Sequence, residues 1–337
     1  FNHSSRLTFM KNRLEIAKEL LRDDWVIFVQ CDDNEQAYLK VLMDEIFKIE
    51  NFVSDIAVKS STPSWLKTTH KTKTIIKQRD SILVFSKNTD IVVFNPQYSK
   101  SNKWDSHYNY FLEVDDLKLR NFREVIIENS IFDEGTSPKD YDINNKIFRE
   151  FYLKNANNIF QTGKSMPEDM RKKSLLDENK DKVLPYGNNQ YAYNWRRLSP
   201  LSSSLKEIYS KDKKQLEISK LLCDFWEDID FNNTQNEWWI SLTNGKKPEQ
   251  LLQRIIDLST QPWNIVLDYH LWSWTTCAVA HKMWRQYIGI EQMDYIETIS
   301  VERMKKVIEW EQWWISKSVN RQWWWEFVYM EIMQNNQ

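Results

Sequence analysis

The segment Asp268-Tyr269-His270-Leu271-Trp272-Ser273-Trp274-Thr275-Thr276 follows the apolar run Asn264-Ile265-Val266-Leu267 and precedes a helix-like stretch from Cys277 to Lys282. A strand that feeds a helix through a loop of this kind can present backbone to a nucleotide. It relies on glycine, because the chain must turn tightly and admit the ligand with no Cβ in the way. Reading glycine at 272 and 274 gives a G-x-G loop, whereas two indoles there would fill it. Glu291 closes the next apolar segment 23 residues after Asp268, near the interval at which a Rossmann-type unit sets an acid on ribose hydroxyls. A carboxylate suits that task because it accepts both hydroxyl protons; the plain alternative is an acid that ends a strand. Thr275 and Thr276 stand at the helix start, where hydroxyls cap free N–H groups with or without a ligand.

The whole chain carries the same anomaly as this loop. It has 17 tryptophans and 5 glycines in 337 residues, the reverse of ordinary usage, in which glycine is about 7%. Asp24-Trp25, Pro262-Trp263, Trp238-Trp239, Trp313-Trp314 and Trp323-Trp324-Trp325 stand where Asp-Gly, Pro-Gly and Gly-Gly would be strong turn signals.

With glycine at 272 and 274, Asp268 to Thr276 resembles the D-x-x-x-G-S-G-T-T S-adenosylmethionine loop of the amino-group DNA methyltransferases. Four further stretches resemble the modification subunit of type III restriction systems, an adenine-N6 methyltransferase. They are His3-Ser4-Ser5-Arg6 through Leu14, Val26 through Glu35, Thr234 through Glu249, and Glu311 through Ser316 with Gln322 through Tyr329. One cause accounts for all of them: a UGA codon that the source reads as glycine has been written as tryptophan. Trp104 and Trp226 fit the family as true tryptophans, which leaves about fifteen glycines and restores an ordinary glycine fraction. The competing reading is a Trp-rich binding module that uses Trp313-Trp314 and Trp323 to Trp325 as a stacking platform.

The resemblance implies an α/β, Rossmann-like S-adenosylmethionine-dependent methyltransferase fold with a long inserted target-recognition region. The catalytic half spans 1–95, the target-recognition insertion 96–235, and the cofactor half and tail 236–337. It implies S-adenosylmethionine as cofactor, held by Lys247, Asp268, Tyr269, Trp272, Trp274, Thr275, Thr276 and Glu291. Lys247, with Pro248-Glu249 and the helix behind it, matches the motif that closes over the methionine end. Implied partners are double-stranded DNA, a second copy of the chain and a helicase-nuclease restriction subunit. The Asp-Pro-Pro-Tyr motif that holds the flipped base is expected upstream of Phe1, so no catalytic residue is nominated. Whether that motif begins with Asp or Ser separates adenine-N6 from cytosine-N4 transfer.

Bulk properties fit without deciding. A net charge of -2 is not that of a strongly basic nucleic-acid binder, so DNA affinity rests on local patches. Leu66 to Arg79 offers one, with Lys67, Lys71, Lys73, Lys77 and Arg79 and no acid; a solvated loop is the alternative. The three cysteines, Cys31, Cys223 and Cys277, show no metal-ligand spacing and read as packing residues. No secretory signal or spanning segment is legible, which predicts a cytoplasmic protein.

Periodicity predicts a helix over Ser5–Leu21, a buried strand over Val26–Cys31 and a helix over Asn34–Phe47. Phe52–Val58 and Ile82–Phe85 read as an outer antiparallel pair. Asp32-Asp33-Asn34-Glu35 reads chiefly as a helix cap. Residues 96–233 are polar and broken; there Arg196-Arg197, Lys103-Trp104 and Tyr108-Asn109-Tyr110 read as scaffold sooner than as DNA contacts. Helices over Pro248–Leu258, Thr275–Met283 and Tyr295–Glu309 then alternate with strands over Asn264–Asp268 and Gln286–Glu291. His270 reads as a wall residue of the loop.

Overall fold

The computed structural model describes residues 3–62, 69, 71–163, 166–186, 190–210, 213–231, 247–272, 274–309, 314–316, 319 and 326–331. The chain divides into two compact units, one made of Phe1–Gln97 with Leu221–Gln337 and the other of Tyr98–Lys220.

The first unit opens with α1 (His3–Leu20), β1 (Val26–Cys31), α2 (Gln36–Phe47), β2 (Phe52–Lys59) and β3 (Arg79–Ser86). In α2, Leu39, Leu42, Met43 and Ile46 recur at helical spacing and bury one stripe against β1 and β3. The pair β2–β3 is antiparallel, but it is not outermost: the sheet order is β1-β3-β2 followed by a later strand, with β3 inside. The reason lies in the unbroken apolar run Ile82-Leu83-Val84-Phe85, buried on both faces, which is the pattern of an interior strand and not of an edge. Nor do the acids after β1 cap α2. Its N-cap is Glu35 and makes no side-chain cap bond, because Glu35 is drawn to His3 and Arg6 and Asp33 to Lys77.

The second unit contains β4 (Tyr98–Lys100), β5 (Tyr110–Glu113), β6 (Lys118–Asn121), α3 (Phe122–Glu128), α4 (Lys146–Lys154), β7 (Ile159–Gly163), α5 (Glu168–Ser174), β8 (Val183–Pro185), β9 (Tyr191–Tyr193), β10 (Arg196–Pro200), β11 (Leu205–Ser210) and β12 (Lys213–Leu221). Six of these strands form an antiparallel sheet ordered β6-β5-β7-β10-β9-β8; β11, β12 and β4 form another. The core is aromatic. Trp104, 5% exposed, stacks on Phe122 at 5.5 Å and meets Phe148 edge-on at 4.9 Å, with Tyr108 and Tyr152 beside it. Asn121 and Asn145 cap α3 and α4 by accepting from backbone N–H groups.

The chain then returns to the first unit through β13 (Phe225–Trp226), α6 (Glu249–Ser259), β14 (Ile265–Asp268), α7 (Thr275–Lys282), β15 (Gln286–Gly289) and α8 (Glu302–Glu309). Strand β13 pairs parallel with β2, and Trp226 lies buried under Arg254 with its indole N–H donating to the Cys223 carbonyl at 2.9 Å. Strands β14 and β15 pair in parallel with α7 as their crossover, the βαβ geometry of a Rossmann-type unit. Among the described residues no helix is long and apolar enough to cross a membrane.

Candidate cofactor site

Residues 268–272 leave the end of β14, and Trp274 precedes α7; two of these positions are left-handed, Trp272 at φ 46° and Trp274 at φ 58°. The loop is anchored on several sides. The Leu271 N–H donates to Ile290 O, and the Trp272 N–H donates to the Glu291 carboxylate at 2.9 Å. Ser300 donates to the Trp272 carbonyl, and Asp268 accepts from the His270 N–H. Gly289 on β15 lets the loop close down: a Cβ there would lie 2.5 Å from a Leu271 methyl and 2.8 Å from the Cys277 sulfur. Glu291 lies two residues beyond β15, where it also accepts from the Tyr295 hydroxyl.

A cavity of about 860 Å³ borders the loop, walled by α1, β1, α6 and β14. Lys247, Asp268, Tyr269, His270 and Thr276 all line it. Trp272, Trp274, Thr275 and Glu291 do not. Trp274 is 5% exposed and packs among Leu271, Met304 and Val307, while Trp272 is 47% exposed and faces Tyr295. Burial pushes the Tyr269 hydroxyl up to about 12 and pushes the Lys247 ammonium below its ordinary value, although Asp80 lies 3.8 Å away. His270 packs its ring against Phe9 and Tyr269, the placement of a wall residue.

Thr275 does not cap its helix. The residue at the N-cap is Trp274, with no side-chain cap bond, and the Thr275 hydroxyl accepts from Arg303 at 2.9 Å in a site where Thr275 is 5% exposed. Of the basic stretch, Lys67 lies outside the described residues; Lys71, Lys73 and Arg79 are exposed. Lys77 is engaged otherwise, 2.5 Å from Asp33 and 3.7 Å from both Asp32 and Asp80. Its ammonium holds the Asp33 carboxyl below the usual range.

Three further tryptophans occupy left-handed backbone with recognisable turn chemistry. Asn194 (φ 43°) and Trp195 (φ 64°) form the two-residue loop of the β9–β10 hairpin, where Asn-Gly is the favoured pair. Trp263 (φ 75°) is third in a turn closed by the Asn264 N–H on Gln261 O at 3.1 Å, after Pro262; a type II turn reserves that place for glycine. Trp284 (φ 63°) follows α7, with its N–H on His281 O at 3.3 Å and the Arg285 N–H on Ala280 O at 2.9 Å. Those two bonds make a Schellman motif with tryptophan at its glycine position. In the sequence, Asn194-Trp195 is marked only by an Asn between two short Tyr-rich and Arg-rich runs.

A family model described as DNA methylase, of the N6/N4 type, matches residues 1–302. The chain is 40% identical over 376 aligned positions to the probable type III restriction-modification enzyme HindVI Mod subunit of Haemophilus influenzae, covering 100% of this chain and 48% of that protein. It is 29% identical to the type III restriction-modification enzyme EcoPI Mod subunit of Escherichia phage P1, covering 83% of this chain and 43% of the relative. The chain thus spans about half the length of these relatives. The crystal structure of an M1.HpyAVI-SAM complex aligns at TM-score 0.37 and 11% identity, covering 88% of this chain and 82% of that one, too low a likeness to argue from. The α/β unit with its strand-loop-helix site, the family match and a relationship that runs over the whole of this chain give one conclusion: the chain belongs to the N6/N4 DNA methylase family.

Proposed function

We propose that this chain is the S-adenosylmethionine-binding portion of a site-specific DNA adenine-N6 methyltransferase, the modification subunit of a type III restriction-modification system. The observation that carries the reading is the β14-loop-α7 turn, with Glu291 bonded to its backbone and a cavity of about 860 Å³ beside it. That volume lies in the range of cofactor pockets, roughly 300–1,000 Å³. Its lining offers an acid, a lysine, a hydroxyl and two aromatic rings, so the residues fit the cofactor. Bound there, S-adenosylmethionine supplies an electrophilic methyl group on a positively charged sulfur. In this reading Lys247, Asp268, Tyr269 and Thr276 hold and orient the cofactor, Tyr269 and His270 wall the site, and Glu291 acts by fixing the loop through the Trp272 N–H.

Double-stranded DNA is the proposed substrate, with Lys71, Lys73 and Arg79 meeting phosphates and the Tyr98–Lys220 unit reading the target. A second copy and a restriction subunit are the proposed partners; the relatives are named as Mod subunits of type III restriction-modification enzymes. The test is methyl transfer by the full-length protein from labelled S-adenosylmethionine to duplex DNA, followed by nucleoside analysis. Label in N6-methyladenine supports the reading, label in N4-methylcytosine replaces it with the sister reaction, and no label removes it.

We also propose that most tryptophans in this sequence are glycines in the native protein, through UGA recoding. Support comes from backbone geometry. Trp195, Trp263, Trp272, Trp274 and Trp284 all stand at φ between 46° and 75°, where a bulky side chain costs about 1–3 kcal/mol and glycine costs nothing. Trp104 and Trp226 stand on ordinary backbone inside packed cores.

A further inference from the structure

Beneath the loop lies a charged cluster in which the cofactor reading gives Lys282 and Arg303 no role and places Glu249 only within the Lys247-Pro248-Glu249 stretch. Glu249, the first residue of α6, is 1% exposed, and both its carboxylate oxygens accept from Lys282 Nζ at 2.9 Å. Lys282, the last residue of α7, is fully buried, and Arg303 of α8 is 1% exposed. Arg303 spans the cluster: one guanidinium nitrogen lies 3.4 Å from Glu249 Oε1 and the other donates to Thr275 Oγ1 at 2.9 Å. Three helices distant in sequence therefore meet at the residue on which the loop ends.

A buried ion cluster is a poor device for stability, because desolvation cancels much of the attraction and an apolar replacement often does as well. Its advantage is geometric. A carboxylate that faces a lysine and an arginine fixes both in direction, and the planar guanidinium passes that direction on to a single hydroxyl. The other end of the loop is already fixed by Glu291 and Ser300 on the Trp272 peptide groups. Thr275 is the remaining end.

We propose that Glu249 is a positioning residue: through Arg303 it holds the Thr275 hydroxyl, and so sets the loop backbone that receives S-adenosylmethionine, with Lys282 keeping the carboxylate in place. The inference rests on the cofactor reading above.

It is tested by calorimetric titration of S-adenosylmethionine into the full-length protein, produced under its source's own genetic code, and into Thr275→Val, Thr275→Ser, Arg303→Lys, Glu249→Gln and the Thr275→Val/Arg303→Lys double variant. Thr275→Val, Arg303→Lys and Glu249→Gln should each weaken binding about tenfold, the size of one lost charge-assisted hydrogen bond. Thr275→Ser should restore it, and the double variant should bind no more weakly than Arg303→Lys alone. Lys305→Gln, which breaks an exposed ion pair on the same helix, should leave it unchanged. Melting midpoints that fall while affinity holds, or additive losses in the double variant, overturn the proposal. Should Glu249→Gln fail to fold, the valine and serine variants at 275 still decide the matter. A parent protein with no saturable binding refutes the cofactor reading itself, and this inference with it; a parent that binds, with variants that bind equally well, refutes the inference alone.

Discussion

Trp104 and Trp195 sit in the same compact unit and occupy opposite kinds of place. Trp104 has ordinary backbone and four aromatic neighbours within 6.0 Å, Tyr108, Phe122, Phe148 and Tyr152. Trp195 has a left-handed backbone in a two-residue hairpin loop, and its ring meets the Arg196 guanidinium at 4.6 Å. In the other unit the contrast recurs between Trp226, buried and hydrogen-bonded, and the tryptophans at 263, 272, 274 and 284. Indole hydrogen bonding does not separate the groups, since Trp104 and Trp274 both bury an N–H with no partner among the described residues. Backbone does. The lesson is that a left-handed φ within a named turn motif marks where a bulky side chain strains the backbone, whatever the packing around it has accommodated.

The largest expected effect lies in the cofactor loop. A protein made as written should show no saturable S-adenosylmethionine binding by calorimetry, and Trp272→Gly with Trp274→Gly should create it. Titrations that match before and after would break the comparison at its most consequential point.

Next in size are two substitutions of opposite sign within one unit. Trp104→Ala should destabilise by about 3–5 kcal/mol, as removal of a large core aromatic does. Trp195→Gly should stabilise by about 1 kcal/mol, through relief of left-handed strain. Denaturant unfolding of the full chain measures both, and two losses of equal size would erase the distinction between the tryptophans.

The smallest effect is a pH dependence. Loss of water against Phe9 and Tyr269 pushes the His270 imidazole below its ordinary 6.5. The folded state then holds that proton less tightly than the unfolded chain. Stability is therefore full above about pH 6.5 and declines as pH falls from there through the depressed value. The ring remains partly exposed, so the decline is shallow. His270→Gln should flatten it in melts taken between about pH 7.5 and 5; an unchanged slope would assign the decline to other groups.

What could be read in advance follows from how local each signal is. The helix-strand-helix opening and the turn from β14 into α7 declare themselves in consecutive residues, through apolar periodicity and the Asp268–Thr276 pattern. Glu291 was within reach because a fixed interval links it to Asp268. The Glu249–Lys282–Arg303 cluster was not: Lys282 and Arg303 lie 33 and 54 residues from Glu249, and nothing in a buried lysine's sequence neighbours marks it as buried. The aromatic core of the second unit was hidden similarly, since Trp104, Phe122, Phe148 and Tyr152 come from separate short elements set in polar sequence. The interior place of β3 is legible in the unbroken apolar run Ile82-Leu83-Val84-Phe85, buried on both faces, although its pairing with β2 alone reads as an outer hairpin.

The most direct measurement is peptide mass spectrometry of the native protein across residues 264–282, with the peptide containing Trp104 as control. The account predicts glycine masses at 272 and 274 and a tryptophan mass at 104. Tryptophan at all three positions would contradict it.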